Sequence, residues 1–233
     1  LCERTGNGSR IVCSVDRNNL SGMLVYGDAG GDTINLADSI PATLTTTLNG
    51  GTGANRITGG PSKDFISTAP GSAGSSLEGG SNLDILYAFD EVSLEGGADT
   101  DVFRVIDPCL GATLKGDGGQ DGVVFAGALR GIKADLAAGY AEWNDGGCPG
   151  KRTLIGKDIE KLEGTDHDDH LVVGKRNAQQ QGRSVLFGRG GIDTLDAKNG
   201  SPDTVTTGAN GRSNKVTADR KDNVIWGYGL AGR

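Results

Sequence analysis

The sequence predicts an all-β protein, a parallel β-roll or β-solenoid whose coils are joined by glycine-rich turns. Three segments between residues 77 and 123, LEGGSNLDIL, LEGGADTDVF and LKGDGGQDGV, share one pattern. In each, Gly follows Leu by two residues, Asp follows that Gly by five, and an apolar residue comes two positions later. Repeats of this kind are typical of stacked folds. The 41 glycines in 233 residues and the 5% aromatic content indicate many turns around a thin aliphatic core.

The same frame recurs in five more places: GDAGGDTI, GGTGANRI, GGPSKDFI, GTDHDDHL and GRGGIDTL. Together these are eight imperfect copies of G-G-x-G-x-D-x-U, where U is apolar. The sixth positions are Asp32, Asn55, Asp64, Asp84, Asp101, Asp121, Asp169 and Asp193. The eighth positions are apolar throughout, and we expect them to point inward from very short strands.

The fourth position of each copy is expected to adopt a positive φ, where Gly is favoured and Asn, Asp and His are better tolerated than other residues. The residues there are Gly30, Gly53, Ser62, Asn82, Asp99, Gly119, His167 and Gly191. Ser62 is the poorest fit to this expectation.

These segments resemble the glycine-rich nonapeptide repeats of RTX (haemolysin-type) calcium-binding proteins. A second stretch, IKADLAAGYAEW followed by LIGKDIEKLEGTDHDDHLVVG, is similar to a segment that recurs in bacterial RTX proteins. The matching residues are Ile132, Asp135, Leu136, Gly139, Ile159, Glu160, Leu162, Gly164, Asp169 and Leu171. The resemblance implies a parallel β-roll with calcium in its turns.

Calcium takes six to eight oxygen ligands, and two stacked turns can supply what one turn cannot. Because Asp64, Asp84, Asp101 and Asp121 are 20, 17 and 20 residues apart, we expect one column with several Ca²⁺ ions between its turns. The predicted metal residues are Asp32, Asp64, Gly79, Gly80, Asn82, Asp84, Gly96, Gly97, Asp99, Asp101, Gly116, Gly119, Asp121, Asp169 and Asp193. The alternative is that Asp and Asn only cap turns by hydrogen bonds. For Asn55 and Asp169 both readings stay open.

The repeats extend over nearly the whole chain, which favours one elongated domain of roughly a dozen coils, on the order of 55–60 Å long. We expect an N-terminal disulfide-tied cap at 1–24, the solenoid at 25–225, and a C-terminal tail or cap at 226–233. Within the solenoid, residues 126–160 lose the repeat frame and are expected to form an irregular loop region.

The four cysteines form no C-x-x-C pair, so we expect disulfides rather than zinc. Three pairings are possible, and proximity in sequence favours Cys2–Cys13 with Cys109–Cys148. Disulfides indicate an oxidising, extracellular setting. The chain begins at Leu1, without Met or a signal sequence, which we expect of a processed, secreted product.

Charge and motifs exclude several function classes. A net charge of −7 without a basic stripe disfavours nucleic acid, and no apolar run reaches the about 20 residues of a membrane span. The two histidines, His167 and His170, share one turn, and neither G-x-S-x-G nor H-E-x-x-H occurs. We therefore expect a protein that is not an enzyme.

The expected role is structural or adhesive, at or outside the cell surface. Possible partners are further copies, through end-to-end or lateral contacts that build filaments or a lattice, and a cell-surface polysaccharide. Two alternatives remain: a carbohydrate-active β-helix enzyme (lyase- or epimerase-like), and a carbohydrate- or ice-binding module. A flat aromatic or Thr face would favour the binding module.

Overall fold

The computed structural model describes residues 2–5, 10–13, 22–174, 183–209 and 213–227, the first two ranges as backbone alone. Within these ranges the protein is all-β and contains no α-helix. A helix long and apolar enough to cross a membrane is likewise absent from the described ranges. The prediction of an all-β solenoid is confirmed.

The described residues form 23 short strands. These are β1 Cys2–Thr5, β2 Arg10–Cys13, β3 Met23–Tyr26, β4 Thr33–Asn35, β5 Thr45–Asn49, β6 Arg56–Thr58, β7 Lys63–Ser67, β8 Ser76–Gly80, β9 Ile85–Ala88, β10 Ser93–Gly97, β11 Val102–Val105, β12 Thr113–Asp117, β13 Asp121–Val124, β14 Ile132–Asp135, β15 Tyr140–Trp143, β16 Thr153–Ile155, β17 Ile159–Glu163, β18 His170–Val172, β19 Val185–Phe187, β20 Thr194–Asp196, β21 Thr204–Thr206, β22 Lys215–Thr217 and β23 Asn223–Ile225.

Successive strands of the solenoid alternate between two facing sheets. Sheet 1 contains, in spatial order, β4, β6, β8, β10, β12, β16, β15, β14, β18, β20 and β22. Sheet 2 contains β3, β5, β7, β9, β11, β13, β17, β19, β21 and β23. Neighbours within each sheet are parallel, apart from the β14–β15 and β15–β16 pairs. Corresponding repeat positions stack, as where Leu94 of β10 lies opposite both Leu77 and Leu114.

The core is a pair of apolar ladders, one from each sheet. Alternation along each strand turns every second side chain inward. In sheet 1 the inward residues include Ile57, Leu77, Leu94 and Leu114, and in sheet 2 they include Leu48, Ile66, Leu86, Phe103 and Val123, all at most 1% exposed. The eighth positions of the repeats are therefore inward as predicted, but they are divided between the two sheets.

Residues 126–160, expected as an irregular loop region, form three strands that widen sheet 1. Strands β16, β15 and β14 stand between β12 and β18, whereas β13 and β17 are direct neighbours in sheet 2. Regular winding would place one strand there instead of three. Phe125 and Trp143 are buried beside this widened region, and the predicted Cys109–Cys148 disulfide is present.

The solenoid has about ten coils, fewer than the predicted dozen. Ten strands in sheet 2, at about 4.8 Å between neighbours, give a body about 43 Å long. The prediction was too high because residues 126–160 add strands to sheet 1 without advancing sheet 2.

The N-terminal strands β1 and β2 form a separate antiparallel hairpin, in which the backbone of Cys2 lies opposite that of Cys13. The side chains of the predicted Cys2–Cys13 pair, like most of the predicted cap, lie outside the described residues. The first strand of the solenoid begins at Met23 and the last ends at Ile225. Most of the predicted C-terminal tail, residues 228–233, also lies outside the described part of the chain.

Candidate metal centre

The eight repeat turns lie on two opposite edges of the solenoid. Turns at 59–64, 79–84, 96–101 and 116–121 lead from sheet 1 to sheet 2, and we call their side the first edge. Turns at 27–32, 50–55, 164–169 and 188–193 lead from sheet 2 to sheet 1, at the second edge. Each edge therefore carries four of the eight copies.

The aspartates of the first edge form one column, as their spacing predicts. The backbone N–H of Asp64 donates to Oδ1 of Asp84, that of Asp84 to Oδ1 of Asp101, and that of Asp101 to Oδ1 of Asp121, each at 2.8 Å. All four residues are fully buried. The predicted glycines, Asn82 and Asp99 lie in the same four turns.

The second carboxylate oxygen of three column members is left unsatisfied. Among the described residues, Oδ2 of Asp84, Asp101 and Asp121 is buried and accepts no hydrogen bond. A buried charged oxygen without a donor costs more than the about 1–3 kcal/mol of a neutral group. Burial accordingly raises the pKa of Asp84 to about 8, that of Asp101 to about 7 and that of Asp121 to about 6.

Glycine backbone lines the space that these oxygens face. A Cβ added to Gly96 would lie 2.5 Å from Oδ2 of Asp101 and 2.9 Å from the carbonyl oxygen of Gly116 in the next coil. Two acceptors thus converge on one point that a side chain would fill. The same arrangement recurs at Gly79, beside Oδ2 of Asp84 and the carbonyl of Gly96.

The turns also depend on residues that tolerate a positive φ. Asn82 and Asp99, at the fourth position of their copies, have φ of 72° and 76°, as predicted. Gly30, Gly53 and Gly119 confirm the same expectation. Gly191, the fourth residue of the last copy, also confirms it with a φ of 95°, whereas the prediction was wrong for Ser62 and His167, which do not occur among the positive-φ residues of the described chain.

Asn55 shows how a repeat turn is satisfied without a carboxylate. Its Nδ2 donates to the carbonyl oxygens of Gly51 at 3.3 Å and Gly53 at 2.9 Å, while its Oδ1 accepts from the backbone N–H of Asp32. The amide N–H₂ therefore supplies to its turn the positive charge density that the Asp turns lack. Of the two readings left open for Asn55, this geometry favours hydrogen-bonded capping.

Two predicted aspartates are satisfied at both oxygens. Oδ2 of Asp64 accepts from the Gly60 N–H, and its Oδ1 accepts from the hydroxyls of Ser62 and Thr46. Asp169 at the second edge accepts from the N–H of Thr165 at Oδ2, and from the Thr165 hydroxyl and the Ile132 N–H at Oδ1. Each oxygen of these two carboxylates therefore already has a donor, unlike Oδ2 of Asp84, Asp101 and Asp121.

The other two second-edge aspartates resemble the orphaned members of the column. Among the described residues, Oδ2 of Asp32 and Oδ2 of Asp193 are buried without a donor. Burial raises the pKa of Asp193 to about 7. A Cβ on Gly27 would lie 2.7 Å from both Oδ2 of Asp32 and the carbonyl oxygen of Gly50, so this turn presents the same pair of acceptors.

The column continues past Asp121 through two residues that repeat counting missed. The backbone N–H of Asp121 donates to Glu160, whose longer side chain reaches the column position across a register shift between β13 and β17. Asp158 accepts from the N–H of Asp117 through Oδ2, and its buried Oδ1 lacks a donor within the described chain. The sequence signal for Asp158 is weak, because it follows Gly156 by two residues rather than five.

No group of three or more His, Cys, Asp or Glu side chains that could hold a metal ion occurs in the described ranges. Seven of the eight repeat turns carry a carboxylate at the sixth position, and in the turns of Asp32, Asp84 and Asp101 its Oδ2 lies beside a backbone carbonyl of the next coil. The arrangement therefore suits a hard cation that accepts carbonyl ligands, and it does not suit zinc.

No protein-family model matches the chain, and no curated protein sequence matches it either.

Proposed function

We propose that the chain is a calcium-dependent β-solenoid that serves as a structural or adhesive scaffold outside the cell. The observation that carries this proposal is the stack of donor-less Oδ2 atoms of Asp84, Asp101 and Asp121 in successive coils, each beside a backbone carbonyl of the next coil. A divalent cation with oxygen ligands would satisfy all of these acceptors. The resemblance of the turns to RTX repeats adds to this proposal.

The residues that would hold each ion come from two neighbouring coils. For Asp101 they are its own carboxylate, the turn that begins at Gly96, and the carbonyl of Gly116 in the next coil. The turns of Asp84 and Asp121 offer the same sets one coil away, and those of Asp32 and Asp193 offer them at the second edge. Bound calcium supplies positive charge that links adjacent turns, so its binding free energy contributes to folding.

The distribution of donors revises the predicted set of calcium residues. Asp64 and Asp169 are already satisfied by hydrogen bonds, and we assign them a capping role. Asp158 is added, because its buried Oδ1 has no donor in the described chain. The proposed calcium aspartates are Asp32, Asp84, Asp101, Asp121, Asp158 and Asp193.

The setting and role follow from the same chemistry. Millimolar calcium and stable disulfides such as Cys109–Cys148 both suit an oxidising extracellular compartment. A scaffold role without catalysis and assembly through end-to-end or lateral contacts are part of the proposal, since stacked coils leave strand edges at both ends.

A calcium titration tests the proposal. Far-UV circular dichroism and the melting temperature should both increase with calcium and revert with chelator, and magnesium, which keeps its waters, should replace calcium poorly. Identical spectra and melting temperatures in chelator and in millimolar calcium would overturn the proposal.

A further inference from the structure

The outer faces of the two sheets differ in chemistry. The outward residues of sheet 2 from β7 to β13 are mostly apolar or aromatic: Phe65, Ile85, Tyr87, Val102 and Val124, with Phe89 stacked on Tyr87 at 6.1 Å between ring centroids. On sheet 1 the outward residues of the matching strands β8 to β12 are Ser, Thr, Glu, Lys and Asp. We call the outer surface of β7, β9, β11 and β13 the aromatic face.

The aromatic face carries two cations and no outward acid. Lys63 Nζ lies 5.4 Å from the centroid of the Phe65 ring, and the Arg104 guanidinium lies 6.0 Å from that of Tyr87. Neither cation forms an ion pair with the described residues. In a chain of net charge −7, this face is therefore a local positive surface.

Arg104 has an unmet hydrogen-bonding requirement. Its Nε is buried and has no acceptor within the described part of the chain. A buried donor of this kind is costly, and because Nε is shielded from solvent, a ligand on the face would pair with the terminal N–H groups of the guanidinium. A carboxylate matches the planar guanidinium fork, because it can accept two parallel N–H bonds.

The shape of the face favours a polysaccharide over a peptide. Strands β7, β9 and β11 are each paired on both sides, so no free edge is available for an added peptide strand. The stacked, nearly parallel rings of Tyr87 and Phe89 offer apolar surface on which the C–H faces of sugar rings can pack. A chain of such rings can extend along the solenoid across several strands.

We propose that the aromatic face binds an acidic polysaccharide, with Arg104 and Lys63 pairing its carboxylates and Tyr87, Phe89 and Phe65 packing against its rings. The inference rests on the scaffold role proposed above, because it names what the scaffold adheres to. It places the partner on the broad surface of sheet 2, away from both edges where calcium is proposed.

The test uses calcium-saturated protein and calorimetric titration with three probes: a linear decamer of mannuronate, its carboxyl-reduced form and a decamer of glutamate. The mannuronate decamer is expected to bind, with affinity that falls as salt increases. Arg104→Gln and Tyr87→Ala should each weaken its binding at least tenfold. Arg56→Gln, which changes an exposed arginine on the outer surface of sheet 1, should leave binding unchanged.

Three outcomes with the sugar probes and the variants would overturn the inference, and so would a fourth with the glutamate decamer. These are absence of mannuronate binding, equal binding of the reduced decamer, and loss of affinity that is the same in Arg56→Gln as in Arg104→Gln. Binding of the glutamate decamer with the same dependence on Arg104 would also overturn it, in favour of an acidic peptide. Arg104→Gln should keep the calcium-dependent melting temperature of the parent, so failure here is distinguishable from failure of the calcium proposal.

Discussion

The backbone N–H of Asp84 donates a 2.8 Å hydrogen bond to Oδ1 of Asp101 in the next coil, while Oδ2 of Asp101 accepts none from the described residues. One oxygen of this carboxylate therefore fixes the register between coils. The other faces a glycine carbonyl and needs either a proton or a cation. This division of roles between two oxygens of one side chain accounts for the first-edge column.

Replacing Asp101 by Asn should separate these two roles. The Asn Oδ1 keeps the register bond, and its Nδ2 can donate to turn carbonyls as Asn55 does. We expect the free energy of unfolding in chelator to be unchanged or to rise by about 1 kcal/mol. The further increase in this free energy on addition of calcium should be smaller than in the parent. Urea unfolding with and without calcium measures both.

Asp64→Asn is the matched control. Both oxygens of Asp64 accept hydrogen bonds, so the new N–H₂ would face the Gly60 N–H or the hydroxyls of Ser62 and Thr46. A loss of about 1–3 kcal/mol is expected in chelator and in calcium alike. If Asp101→Asn lost as much in chelator as Asp64→Asn, the two carboxylates would have the same capping role.

The stability of the calcium-free protein should fall as pH rises from about 4 to about 8. Burial raises the pKa of Asp84 to about 8, of Asp101 and Asp193 to about 7, and of Asp121 and Asp169 to about 6, from 3.8. The folded state then binds more protons than the unfolded state throughout this window, so the free energy of unfolding falls with pH. Thermal unfolding in chelator from pH 4.5 to 8.5 measures this slope.

Calcium should reverse that trend. Protons and calcium compete for the same oxygens, so the stabilisation by calcium should grow as pH increases towards 8. A calcium-free protein whose stability increased between pH 5 and 8 would contradict the assignment of Asp84, Asp101, Asp121 and Asp193 as buried carboxylates that lack a donor at Oδ2.

Asn55→Asp should add a calcium requirement. The carbonyls of Gly51 and Gly53 keep the Ala69 N–H and the Ser75 hydroxyl but lose the Asn55 N–H₂, and a carboxylate oxygen would face them instead, so the variant should lose about 1–3 kcal/mol in chelator. Calcium should restore the lost stability, and the variant should bind one more calcium ion than the parent. Asn49→Asp makes the same charge change nearby, where Oδ1 only accepts from the Gly51 N–H, and should alter neither quantity. An unchanged ion count in Asn55→Asp would contradict the comparison between the two turn types.

Removal of the Cys109–Cys148 disulfide should destabilise the fold without affecting calcium binding. The bridged residues are 39 apart in sequence, and the loss of this cross-link corresponds to about 4 kcal/mol of loop entropy in the unfolded chain. Equilibrium unfolding of the double Cys→Ser variant in saturating calcium measures it. The calcium midpoint should remain that of the parent, because Cys109 lies in the loop between β11 and β12, on the opposite edge from the first-edge column and outside the turns of Asp32 and Asp193. A large shift of that midpoint would argue against this separation.

The sequence alone predicts the solenoid and the first-edge column because spacing carries that information. Asp64, Asp84, Asp101 and Asp121 are about one coil apart, and equal spacing in a parallel stack places them above one another. The Cys109–Cys148 pairing was likewise predictable from proximity. The inward ladder followed from the apolar eighth position, although its division between two sheets did not, because a nonapeptide is only half a coil and can lie at either edge.

Three features depend on three-dimensional relations that repeat counting does not contain. Glu160 reaches the column through a register shift, which a fixed spacing does not anticipate. Strands β14 to β16 lie within a stretch without the repeat frame, where periodicity gives no signal. The distinction between Asp64 and Asp101 depends on which donors surround each carboxylate. The repeat pattern cannot show it, because each residue occupies the sixth position of its own copy.

The most direct test of the central claim is a crystal structure at millimolar calcium with anomalous scattering recorded for the bound ions. We expect peaks between adjacent first-edge turns, beside Oδ2 of Asp84, Asp101 and Asp121, and no peak in the Asn55 turn. Turns without any anomalous peak at saturating calcium, with the aspartate oxygens still lacking a partner, would contradict the account.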